Sequence, residues 1–113
     1  MPVTFYDIAF EQDPADPDWY DIERIYCFDW DLFSGKDWEL LLEAYASLPD
    51  WRFLERQQCP RWFSDFDDSQ NGYLTASVEP PGLQVFGTLL HAEWAAWNDQ
   101  FLKLTEVLPS RTL

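Results

Sequence analysis

Between residues 90 and 108, Leu90, Trp94, Trp97, Phe101, Leu104 and Leu108 recur at intervals of four and three. That spacing lays one apolar stripe along an α-helix, and Pro109 closes it. A stripe this aromatic must be covered by a broad apolar surface, and the rest of the chain reads as strands able to provide one. "VTFYDIAF" (3–10) alternates, and "ERIYCFDWDLF" (23–33) alternates strictly, with Tyr26, Phe28, Trp30 and Leu32 on one face and Cys27, Asp29 and Asp31 on the other. Shorter strands are expected at 51–57, 61–66, 73–79 and 83–89.

A second helix is punctuated at both ends. Ser34 is a good N-cap, and Asp37 three residues on completes a capping box with Asp in place of Glu. Trp38, Leu41, Leu42, Tyr45 and Leu48 form its apolar stripe, and Pro49 ends it. Asn71-Gly72 reads as a hairpin turn. Pro80-Pro81-Gly82 reads as a type II turn with Pro81 second and Gly82 third. The order β-β-α-β-β-β-β-α with short connections predicts an α+β fold. It is one domain over residues 1–113, an antiparallel sheet of five to six strands, a meander in the second half, and two helices on one face.

The 113 residues carry 21 acids against 7 bases, a net charge of -14. Residues 1–50 hold 13 acids against Arg24 and Lys36, so the imbalance is steepest there. Seven tryptophans exceed what so short a chain is expected to hide, and exposed indoles suit an interface. Cys27 and Cys59 form no C-x-x-C and no Cys/His cluster, so zinc is not expected, and both are read as buried thiols. The first residues lack a leader-like basic and apolar pattern, and no run suffices to cross a bilayer. A cytoplasmic protein with no membrane contact is the expectation.

"FDDSQNGYLT" resembles the start of an EF-hand loop, with oxygen donors at Asp67, Ser69 and Asn71 followed by Gly72. In that family the twelfth position supplies a bidentate Glu; here it is Val78, and Pro80-Pro81-Gly82 takes the place of the exiting helix. The stretch is therefore read as a solvated turn. Asp29-x-Asp31 puts two carboxylates on one strand face, as a metal-assisted or acid/base enzyme would need, but that is also where a half-buried strand meets water. His91, the one histidine, has no nucleophile tied to it, and Cys59 is read as structural despite Arg56 and Arg61 nearby in sequence. No cofactor, metal or catalytic residue is assigned.

Trp19 and Tyr20 stand among Asp13, Asp16, Asp18, Asp21 and Glu23 in a proline-containing stretch read as an acidic loop over 11–21. Aromatic anchors ringed by carboxylates match the anatomy of a docking surface. With Asp29 and Asp31 these residues form the candidate partner-binding set. In size and acidity the chain resembles small inhibitors and immunity proteins of nucleases or other toxins, and nucleic-acid-mimicking proteins; the likeness is one of composition. The expected function is a non-enzymatic domain, monomer or weak homodimer, that docks on a basic protein such as a nuclease or other toxin and does not bind nucleic acid itself. The alternatives are a small enzyme using Asp29 and Asp31, or an accessory subunit of a larger complex.

Overall fold

The computed structural model describes residues 2–53 and 59–112. The elements are β1 (Phe5–Gln12), β2 (Trp19–Tyr26), a 3-10 turn (Trp30–Leu32), α1 (Gly35–Ser47), β3 (Trp51–Arg52), β4 (Arg61–Trp62), β5 (Tyr73–Glu79), β6 (Gly82–Leu90) and α2 (His91–Leu104). The strands form one antiparallel sheet in the order β1-β2-β6-β5-β4-β3. β3 to β6 are the expected meander, and the β1–β2 hairpin joins it through β2 against β6.

Both helices cover the sheet face that carries Ile22, Tyr26, Leu74, Leu83 and Val85, all buried. Trp62 joins the two helices. Its ring meets Trp97 of α2 edge-on at 5.0 Å and Tyr45 of α1 at 5.5 Å, and its indole N–H donates to the Tyr45 carbonyl at 3.0 Å. Trp97 stacks between Trp94 and Phe101. Each such ring removes ~150–250 Å² from water, so a few aromatics close the core. The Trp97 indole N–H is buried without a hydrogen-bond partner among the described residues, which costs about 1–3 kcal/mol.

The α1 capping box is present in full. Ser34 Oγ accepts from the Asp37 backbone N–H, and the Asp37 carboxylate accepts from the Ser34 N–H. The apolar stripe of α1 is rotated from the expected one: Leu41, Ala44, Tyr45 and Leu48 are buried, while Leu42 is exposed. In α2, Trp94, Trp97 and Phe101 are buried as expected. The helix ends at Leu104, and buried Thr105 takes over the last turn by donating its hydroxyl to the Phe101 carbonyl.

The largest departure is the second strand. β2 begins at Trp19 and stops at Tyr26. The alternation beyond it belongs to a chain leaving the sheet, because β6 starts at Gly82, whose neighbour Leu83 faces Tyr26. A Cβ on Gly82 would overlap the Tyr26 carbonyl oxygen, which explains glycine there. Glu79 pairs with Gly82, so Pro80 and Pro81 are the two turn residues, one position earlier than expected. The expected acidic loop shortens likewise: Glu11 and Gln12 belong to β1, Trp19 to Asp21 belong to β2, and the turn is 13–18.

β4 and β5 pair antiparallel, but a ten-residue loop (63–72) joins them in place of a tight Asn71-Gly72 turn. Phe63, at φ 72, turns the chain out of β4. β3 keeps Trp51 and Arg52 of the expected strand; its positions 54–57 lie outside the described residues, as does Arg56. Cys27 is buried and Cys59 exposed, so the reading of both as buried thiols holds for Cys27 alone. No described helix is long and apolar enough to cross a membrane.

Candidate functional site

The turn 13–18 and the loop 63–72 meet at one end of the sheet. Together they contain six aspartates, Asp13, Asp16, Asp18, Asp65, Asp67 and Asp68, and no lysine or arginine. Trp19 is the contact between them, since its ring packs against Gly72, where an added Cβ would lie 3.3 Å from the indole. A shallow cleft of about 260 Å³ opens beside it, lined by Asp13, Asp16, Trp19, Ser69, Gln70 and Thr88. The Asp18 carbonyl accepts from the His91 backbone N–H at 2.8 Å, which ties the turn to the start of α2.

Local hydrogen bonds shape both loops. Asp13 accepts from the Ala15 N–H and Asp16 from the Asp18 N–H, each through one carboxylate oxygen. Asp68 accepts from the backbone N–H groups of Asn71 and Gln70 and from the Asn71 side chain. The Asn71 N–H chiefly, with these others, holds the Asp68 carboxyl below its ordinary range. Asp68 therefore builds an Asx-type turn, the element that replaces the expected Asn-Gly hairpin. Asp67 is held by Arg61. Among the described residues no group of three or more carboxylate, histidine or cysteine side chains is placed to hold a metal.

Tyr73 records how close the charges lie. Burial chiefly, then Asp67 and Asp21, raise its phenol above the ordinary value against the opposing pull of Arg61. Asp21 accepts from the Thr88 hydroxyl at 2.8 Å on the same sheet face.

The candidate set is thus divided. Asp13, Asp16, Asp18, Trp19 and Asp21 gather at this end, joined by the aspartates of the second loop. Tyr20 points to the helix-covered face, where it stacks on Phe10 at 4.9 Å and meets His91 at 5.1 Å. Glu23 lies midway along the opposite face and accepts from Gln84 at 2.5 Å. Asp29 and Asp31 lie beyond the far end of β2, past Tyr26 and at the opposite end of the strand from Trp19, and Asp29 faces Arg111 at 3.9 Å. The signal for the second loop was in the sequence as "SDFDDSQNG", read there as a failed calcium loop rather than as part of the same surface.

One charged group went unnoticed. Arg24 is buried on the helix-covered face, where it donates to Asp7 at 2.6 and 3.1 Å and to Asn98 at 3.2 Å. Tyr26 donates to the same Asn98 oxygen at 2.5 Å. The guanidinium lies 3.9 Å from the Phe5 ring centroid and 5.0 Å from that of Trp94. Burial opposes its charge, but Asp7 and Tyr26 outweigh that and its pKa is raised. The cluster fastens the β1–β2 hairpin to α2 and removes one of the few bases in the first half of the chain from the surface.

No protein-family model matches this chain, and comparison with curated proteins and with solved structures returns no match.

Proposed function

We propose that this protein is a non-enzymatic binding domain whose loop end docks on the cationic surface of another protein, as an inhibitor, an immunity protein or a nucleic-acid mimic does. The observation that carries the reading is the meeting of two loops that bring six aspartates to one end of the sheet around a half-buried tryptophan, with Arg61 of β4 pairing one of them. Clustered like charge steers an oppositely charged partner and raises association rates by ~10–10³-fold. Trp19 supplies apolar area at the centre, and the carboxylates fix orientation at the rim. The geometry supports a smaller surface than the sequence indicated, without Tyr20, Glu23, Asp29 and Asp31. Two free thiols suit a reducing compartment such as the cytoplasm.

The test begins with capture of a partner from the native host at about 50 mM salt and its release at about 500 mM, where exposed charges are screened. Association is then measured with the purified pair. The expected result is a loss of about tenfold or more in association rate when Asp13, Asp16, Asp18, Asp65, Asp67 and Asp68 are changed to Asn, against less than about twofold for Asp29→Asn with Asp31→Asn. Association indifferent to salt, or equal losses from the two sets, would overturn the proposal.

A further inference from the structure

β1 forms one border of the sheet, and nothing among the described residues pairs with its outer edge. It is eight residues long, where the strand at the other border, β3, has two. Exposed large apolar side chains concentrate on it, namely Phe5, Tyr6, Ile8 and Phe10, with Ile8 at 55% the most open. An uncovered edge of this length offers a row of backbone N–H and C=O groups to an incoming strand. The register shift between Asp7 and Ala9 leaves Ile8 as the extra residue of a bulge, which turns its side chain outward and divides the edge in two.

We propose that the outer edge of β1 is a strand-addition site for an extended, lysine- or arginine-bearing segment of a partner protein. The main-chain groups supply the pairing, and the exposed apolar side chains receive the alternate apolar residues of the incoming strand. Charge decides against a second copy of this chain. Self-pairing would bring together two acidic edges ending in Glu11 and Asp13 on two bodies of net charge -14. It decides for a basic segment, because Asp7 is already paired with Arg24 while β1 ends with Glu11 and runs directly into Asp13 of the acidic turn. The sign of the occupant's charge rests on the cationic-partner reading above; the strand form of the occupant rests on the edge alone.

The probe is a blocked octapeptide of alternating valine and lysine, titrated into the labelled protein at low salt while amide exchange is followed. Two relatives serve as controls, one with glutamate for lysine and one N-methylated at alternate amides so that it keeps its charge but loses its donors. The expected result is slowed exchange along β1 with the parent peptide, and binding weaker by about tenfold or more for both controls. Ile8→Lys, at an exposed position that leaves the melting temperature near wild type, should weaken the parent peptide by about fivefold through a gatekeeping charge on the edge. If the N-methylated peptide binds as well, or if protection falls on 13–18 and 63–72 instead of β1, the strand-addition site is overturned while loop-end docking stands. If β1 is protected but no partner of the native host is released by salt, the edge stands and the docking reading falls.

Discussion

The two ends of the sheet are both acidic in sequence and differ in what the fold does with the charge. At the far end, where the chain leaves β2, Asp29 faces Arg111, the Trp30 indole donates to the Glu79 carbonyl at 2.7 Å, and Trp30 stacks on Trp38 with ring centroids 5.1 Å apart. Phe28 is fully buried beneath them. At the loop end the carboxylates have only their own backbone N–H groups and one arginine for company. Aspartate content alone does not mark a docking surface. What distinguishes the loop end is that a single arginine, Arg61, answers six aspartates and little apolar packing reaches them.

Truncation separates the two ends most sharply. Phe28→Ala should cost about 3–5 kcal/mol, as emptying a filled aromatic site does, whereas Phe66→Ala in the exposed loop should stay within about 0.5 kcal/mol. Urea unfolding checks both. Comparable losses would mean that the loop end is as tightly packed as the other.

Alkaline titration gives the next contrast. Tyr26 and Tyr45 are raised by burial above the ordinary tyrosine value, and Tyr73 at the loop end is raised by burial with Asp67 and Asp21. A folded pKa above the unfolded value of about 10 gives stability that is full below pH ~10 and is lost as pH rises through the folded value. The phenolate absorbance should therefore show Tyr73 ionising in the folded protein and Tyr26 and Tyr45 only as it unfolds. Early ionisation of all three would contradict the packing described.

Charge removal should act with opposite signs. Asp29→Asn loses the pair with Arg111 and should cost up to about 1 kcal/mol. Asp13→Asn with Asp16→Asn and Asp18→Asn keeps carbonyl acceptors for the turn and relieves repulsion, so it should stabilise by up to about 0.5 kcal/mol. Melting at low salt measures both, and the gain should shrink as salt is added. The smallest effect is at Asp68. Its depressed pKa means a contribution present above pH ~3.9 and lost as pH falls through the folded value, so its carboxyl resonance should titrate below the ordinary aspartate value.

The element order, both helices and the meander were legible because each rests on local signals: the Ser34–Asp37 box, the three-and-four spacing of Trp94, Trp97 and Phe101, and alternation in β5 and β6. The end of β2 was not legible. Alternation continues through Phe28 and Trp30, and what stops the strand is the length of its partner β6, a property of another part of the chain. The meeting of two loops in one surface is equally non-local. Arg24 did leave a trace, as a lone charge between Ile22 and Tyr26 on an apolar strand face, but its partners Asp7 and Asn98 lie 17 and 74 residues away.

Docking at the loop end requires a net negative field there, six aspartates against one arginine, and amide relaxation in the presence of cationic and anionic nitroxide cosolutes measures that field directly. The ratio of cationic to anionic enhancement should be highest over residues 13–18 and 67–72 and clearly lower over 27–33. An even ratio across both ends, or a maximum over 27–33, would contradict it.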